Sequence, residues 1–311
     1  MRALLTGGSG MLASSIAEAW RSRRSDGDLI VLTRADVDLR DAAATRRVIA
    51  AARPDVVVHT AAFVGGIGDK TARPLPYLLE NVRIDSSVLD AVVSEEISSY
   101  LYTASAAAYP ASAPNPIAES ALFEGRLEPA NEGYGLAKLT GLTAVDYAAK
   151  QTGRAYRSIL PSNLYGPGDS FAPERSHLIA STLYKAHRAL TEGRAHVEVW
   201  GDGSARREFT YAPDLAEWLV ASLEHLDNWP SALNVGAGTD HSVREYYEIA
   251  CDTVGFGGAL VFDASKPAGV ARRLIDSSRA RAHGWHPRTD IRDGMRACYA
   301  GFLARTATGE H

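Results

Sequence analysis

The chain opens Met1-Arg-Ala-Leu-Leu-Thr-Gly-Gly-Ser-Gly-Met-Leu-Ala13, and these residues constrain the fold more than any other stretch. Residues 1–6 read as a short buried strand, and helical periodicity runs from Met11 to Arg23. A glycine turn between an N-terminal strand and a helix is suited to phosphate, because the free N–H groups and dipole of the helix N-terminus favour an anion. Gly7 allows the tight turn and Gly10 lets the backbone approach a diphosphate. Ser9, Met11 and Leu12 complete the loop, and Ala13 is small enough for helix and strand to pack closely.

Apolar runs recur at Leu29–Thr33, Asp55–His59, Tyr100–Thr103 and Arg157–Leu160. Helix-like segments at Ala42–Ala52, Leu78–Val93 and Gly135–Lys150 lie between them. Strands alternating with helices predict a doubly wound parallel α/β sheet of the Rossmann kind. After Pro161 the stretch PSNLYGPGDSFAPERSH reads as a long functional loop. Asp214–Glu224 and Ala232–Val235 rejoin the sheet, while Val197–Trp200, Val243–Cys251, Ala259–Phe262 and the C-terminal helices make a smaller second layer. The expected division is a dinucleotide-binding domain of residues 1–163 and 208–239, with a smaller α/β substrate domain of residues 164–207 and 240–311. The chain end, from about Arg305, is expected to fray.

The 311 residues carry a net charge of −4, which gives no footprint for nucleic acid. Two cysteines, Cys251 and Cys298, are too few for a disulfide framework or a metal cluster, and no metal is expected. No signal peptide or membrane-spanning run is visible, so a soluble cytoplasmic enzyme is expected.

Tyr134 and Lys138 lie four residues apart in a helix-like segment, on one face and one turn apart. A cation beside a phenol favours phenolate, so Lys138 is expected to lower the Tyr134 pKa. With a nicotinamide cofactor and Ser105, such a tyrosine can move a proton at a carbinol carbon. The second strand ends in Arg34, where an acid would suit the ribose 2′-OH; a cation suits a 2′-phosphate and favours NADP(H), unless it is a plain surface residue. Asp38 and Leu39 would frame the adenine, and His59–Ala62 (HTAA), with Ala61 and Ala62 against the cofactor, the next wall of the groove.

These motifs resemble the extended short-chain dehydrogenases/reductases of the NAD-dependent epimerase/dehydratase family and, more narrowly, the GDP-L-fucose synthases. AAFVGGIG (61–68), YPASAPNPIAES (109–120), LEPANEGYGLAK (127–138), PSNLYGPGD (161–169), ERSH (174–177), VWGDGSARREF (198–209) and LVFDASKPAG (260–269) carry the resemblance in order. It implies that Tyr134 protonates a sugar O4, Lys138 holds the nicotinamide ribose and Ser105 hydrogen-bonds the carbonyl oxygen. It implies that Pro161, Ser162, Asn163 and Leu164 line the nicotinamide, with His177 also contacting the cofactor and Asn163 the substrate. Arg207 would hold the nucleotide diphosphate, with Lys185, Trp200 and Lys266 near the nucleotide. A homodimer built on Leu78–Val93 and Gly135–Lys150 is implied too.

One departure matters. The family's proton-transferring cysteine, which works with a histidine to epimerise C3 and C5, corresponds here to Ala107, beside Ala106; the histidine corresponds to His177. The alanines also argue against a 4,6-dehydratase. The expected activity is therefore NADPH-dependent C4 reduction of a nucleotide-linked 4-keto-6-deoxy sugar, with GDP favoured, without full epimerisation. A nucleotide-sugar 4-epimerase and a bifunctional GDP-L-fucose synthase are the alternatives.

Overall fold

The computed structural model describes residues 1–24, 28–172, 176–266 and 269–308. Its strands are β1 (Ala3–Thr6), β2 (Leu29–Leu32), β3 (Val56–His59), β4 (Ser99–Thr103), β5 (Ala155–Pro161), β6 (Asn163–Tyr165), β7 (His196–Trp200), β8 (Arg206–Tyr211), β9 (Ala232–Val235), β10 (Asp240–Ser242), β11 (Ala259–Asp263) and β12 (Arg272–Arg273). The helices are α1 (Met11–Arg23), α2 (Ala42–Ala52), α3 (Ile67–Ala72), α4 (Pro74–Ser94), α5 (Glu132–Thr152), α6 (Leu178–Thr191), α7 (Ala212–Ser222), α8 (Val243–Val254), α9 (Ser278–Ala282) and α10 (Ile291–Thr308).

Six strands pair in the order β2-β1-β3-β4-β5-β9, all parallel. Such a sheet needs both faces covered, and its strands show how one run serves two cores. Ala3 and Leu5 of β1 join Leu12, Ile16 and Trp20 of α1 and Leu215 and Leu219 of α7. Leu4, between them, joins Ile49 of α2, Val88 and Val92 of α4, and Leu142 and Val145 of α5 on the opposite face. The strand order reverses between β1 and β3, which is where doubly wound sheets bind ligands beyond the strands' carboxyl ends.

A second body of structure packs around Ile179 and Leu183 of α6, Phe209 of β8, Tyr246 and Ile249 of α8, and Met295 and Phe302 of α10. Its four-stranded sheet has β8 bonded to β6, β10 and β12, and β11 pairs with β7. Helix α8 begins with a capping box in which Ser242 and Glu245 satisfy each other's backbone N–H groups.

Two expectations are corrected. The stretch after Pro161 is not all loop: Asn163, Leu164 and Tyr165 form β6 alongside Phe209, Thr210 and Tyr211. Pairing with a neighbouring strand overrides the local Pro/Gly composition there. Residues 173–175 of that stretch, including Glu174 and Arg175 of the ERSH motif, lie outside the described residues, as do Pro267 and Ala268 of LVFDASKPAG. At Arg305 the chain is still helical: α10 runs to Thr308, and Arg305 donates to the Asp169 carbonyl at 2.7 Å, while residues 309–311, the rest of the end expected to fray, lie outside the described residues. Cys251 and Cys298 are free and buried. No helix among the described residues is long and apolar enough to cross a membrane.

Candidate active site

The phosphate loop closes over the reversal point of the sheet. Gly7 has φ +79°, and a Cβ there would lie 2.8 Å from the Ala61 nitrogen, so only glycine fits between the end of β1 and the segment after β3. Gly10 precedes α1, and no side chain caps the helix. The first turn of α1 holds no acid, leaving its N–H groups and dipole available to an anion. Ser9 is exposed and Met11 half-buried at this rim, while Leu12 and Ala13 are buried beneath it. Half-buried Ala61 and Ala62 form the facing wall, tied to β1 by Thr60, whose hydroxyl donates to the Thr6 carbonyl at 2.7 Å. The cradle and the uncapped helix end fit a dinucleotide diphosphate.

Beyond β2, Arg34 is exposed and makes no hydrogen bond or ion pair among the described residues. Asp38 is committed elsewhere. Arg40 grips its carboxylate at 2.7 and 2.8 Å and also meets Glu80 at 2.9 Å. The Arg40 hydrogen bonds pull the Asp38 pKa down to about 2. Leu39 is half-buried against the apolar core. Arg40 escaped notice in the sequence; its only signal was its spacing from Asp38.

Ser105 follows β4 and caps the short 3-10 turn Ala106–Ala108, its hydroxyl accepting from the Ala107 N–H at 3.1 Å. A Cβ on Gly135 would lie 2.5 Å from the Ala107 carbonyl oxygen, so this glycine lets the start of α5 press against the Ser105 turn. Tyr134, one residue earlier, is thereby brought to Ser105. Burial, and then the Asp85 charge, push the Tyr134 phenol well above its ordinary range, with the Ser105 hydroxyl acting the other way.

That overturns the expectation that Lys138 lowers the Tyr134 pKa. Lys138 is 1% exposed and its ammonium lies 3.3 Å from Asp85 of α4. It stands 6.0 Å from the centroid of the Tyr134 ring. Asp85 also accepts from Tyr102 at 2.5 Å and meets His59 Nε2 at 3.0 Å. His59 Nδ1 in turn meets the Thr6 hydroxyl at 2.7 Å. Burial alone would raise the Asp85 pKa, but Lys138, His59 and Tyr102 together hold it below the ordinary carboxylate value. The lysine's charge is therefore balanced beneath the site. Neither Asp85 nor His59 was legible as a partner, because Asp85 is separated from Lys138 by 53 residues.

His177 precedes α6 and caps it with no side-chain hydrogen bond. Burial, and then the Lys70 charge, pull its pKa down to about 4, so it is neutral at pH 7. Lys70 of α3 places its ammonium 4.6 Å from the Tyr134 ring centroid. Nothing in the sequence marked Lys70; it reads there as an ordinary helix lysine.

The chain leaves the main sheet at buried Pro161, crosses at Ser162 and enters β6 with Asn163 and Leu164. The Asn163 amide donates to the Glu208 carbonyl at 3.2 Å. Arg207 of β8 donates to the carbonyls of Arg206 and Val270, at 2.8 and 2.6 Å. A second guanidinium stands on the adjoining strand: Arg273 donates to the Ala106 carbonyl at 2.7 Å and lies 3.8 Å from Glu128. Arg273 was missed in the sequence, where only the Arg272-Arg273 pair hinted at it. Lys185, Trp200 and Lys266 come together in a separate cluster. The two ammonium groups lie 5.8 and 5.9 Å from the half-exposed Trp200 ring, and Lys185 also donates to Tyr247 at 3.2 Å. Among the described residues no metal-binding group of His, Cys, Asp and Glu occurs.

A profile of the NAD dependent epimerase/dehydratase family matches residues 3–236. A GDP-L-fucose synthase of Azorhizobium caulinodans is 37% identical over 300 residues, covering 96% of each chain. A solved GDP-6-OMe-4-keto-L-xylo-heptose reductase from Campylobacter jejuni superposes with TM-score 0.92 at 25% identity, covering 98% of each chain. A GDP-mannoheptose C4 reductase of the same organism, solved with NADP bound, superposes with TM-score 0.88 at 27% identity over 97% of this chain and 98% of its own.

Proposed function

The chain belongs to the NAD dependent epimerase/dehydratase family, and from that membership we propose that it is an NADPH-dependent C4 reductase of a GDP-linked 4-keto-6-deoxy sugar. The observation that carries the reading is the turn at Ala106 and Ala107, which brings Ser105 to Tyr134 while offering only methyl groups where an epimerase needs a proton-transferring side chain. Inverting a carbon next to a ketone requires a proton removed on one face and another delivered on the opposite face. The solved C4 reductase with NADP bound supports the cofactor and the reaction class.

The Gly7–Leu12 loop would hold the dinucleotide diphosphate, and Arg34 the 2′-phosphate. The bound cofactor supplies the hydride. Ser105 orients the carbonyl oxygen, and Tyr134 gives its proton to that oxygen as it becomes an alkoxide. The high Tyr134 pKa keeps the phenol protonated and ready as the acid. Lys138, set against Asp85, is aimed at the cofactor ribose rather than at the phenol. Neutral His177 is suited to hydrogen-bond a sugar hydroxyl. Arg207 and Arg273 offer guanidinium charge to a diphosphate, and the Trp200 cluster offers a ring face to the nucleotide.

The same reading includes a homodimer. Leu75 and Leu79 of α4 and Leu136 and Tyr147 of α5 are exposed on helices that pack against each other. Incubation with GDP-4-keto-6-deoxymannose should oxidise NADPH mole for mole. An enzyme that interconverts nucleotide sugars with no net NADPH loss would sink the reductase reading.

A further inference from the structure

We propose that Lys70 is a positioning residue for proton delivery: its ammonium, held over the Tyr134 ring from α3, stabilises the phenolate left when the phenol gives up its proton. The inference rests on the reductase reading given above.

Geometry distinguishes the two lysines. Lys70 Nζ is 4.6 Å from the Tyr134 ring centroid, against 6.0 Å for Lys138. Lys138 has its charge balanced by Asp85 at 3.3 Å. The Lys70 side chain makes no hydrogen bond or ion pair among the described residues. The acid beside it on α3, Asp69, is held by Arg73 at 2.7 Å and by the Tyr77 hydroxyl at 2.5 Å. Among the described residues, the groups that face Lys70 from other elements are Tyr134 of α5, His177 before α6, and Glu128 before the Pro129–Asn131 turn. His177 is neutral and cannot neutralise it, and Glu128 acts only through space. Among the described residues Lys70 is thus a cation with no ion-pair partner, set against the face of the acid, where a ring is most attractive to a cation and becomes more so as a phenolate.

The proton step balances simply. The Tyr134 O–H bond breaks, its proton bonds to the substrate alkoxide, and the electron pair stays on the phenolate oxygen. The negative charge then lies under Lys70 until water returns a proton. Burial, opposed by Glu128, brings the Lys70 pKa to about 8. Lys70 is therefore charged below pH 8 and loses its charge as pH rises through that value. Tyr134 titrates far higher and His177 at about 4, so neither accounts for a limb near pH 8.

The test is turnover of GDP-4-keto-6-deoxymannose with NADPH between pH 6 and 10, for wild type, Lys70→Arg and Lys70→Met. Wild-type kcat should fall above about pH 8. Lys70→Met should lose roughly 10-fold or more in kcat with little change in KM, as expected for an interaction made only in the transition state. Lys70→Arg should keep most of the rate and move the alkaline limb upward, because arginine stays charged. Lys70→Met with wild-type kcat and an unmoved limb would overturn the proposal. Trace acetylation of lysines in the free enzyme, read by mass spectrometry across pH, needs no substrate. A Lys70 midpoint near 8 supports Lys70 as the source of the alkaline limb, and the midpoint of an ordinary lysine overturns that assignment of the limb. If the wild type oxidises no NADPH with the keto sugar, the reductase reading fails, while the acetylation result still decides the state of Lys70.

Discussion

Tyr134 and Lys138 share one face of α5, yet different partners settle their charges. Asp85 binds the lysine, and burial keeps the phenol protonated. Tyr134→Phe should cut turnover by at least roughly 10²-fold, the usual cost of losing a general acid, with NADPH affinity largely kept. Near-normal turnover in steady-state assays would remove Tyr134 from the chemistry. Arg34 carries a separate prediction. Its guanidinium, without an ion-pair partner among the described residues, should favour NADPH over NADH by about 1–3 kcal/mol, the worth of one charge-assisted phosphate contact. Titration of Arg34→Asp with both cofactors should show the preference lost; equal wild-type affinities would contradict it. The glycine loop and the Tyr134–Lys138 spacing could be read directly from the chain, because local sequence dictates turns and helix faces. Asp85, Lys70 and Arg273 could not, nor could the pairing of His59 with Asp85, because each reaches the site from a different element and nothing local marks the contact.

The elements show the same division. The run of β1 and the period of α1 are local signals, and the structure reproduces α1 at Met11–Arg23 and α2 at Ala42–Ala52 as read from the sequence. β6 was hidden because three residues among Pro and Gly carry no alternating pattern, and only pairing with β8 makes them a strand. β8 also holds a buried acid. Glu208 accepts from the Gly238 and Ile275 N–H groups at 2.6 and 3.1 Å, and burial pushes its pKa up to about 7. The folded state thus binds this proton more tightly than the unfolded chain does. The stability it contributes is fully present below the ordinary glutamate range and is lost as pH rises through 7. Melting curves of wild type and Glu208→Gln should therefore diverge in favour of the variant between pH 5 and 8. A constant difference in Tm would refute the assignment.

For the whole molecule, the reading requires two copies and one reaction. The exposed apolar residues of α4 and α5 should pair with those of a second chain, so light scattering at micromolar concentration should give twice the 33.3 kDa chain mass. Leu79→Glu with Tyr147→Glu should shift it to the monomer; a monomeric wild type would contradict the pairing. The reaction is decided most directly by NMR of the product formed from GDP-4-keto-6-deoxymannose and NADPH in D2O. With Ala107 in place of a proton donor, the product should be reduced at C4, keep its configuration at C3 and C5, and not carry deuterium at both carbons. Inversion of C3 and C5 with deuterium at both would contradict the account.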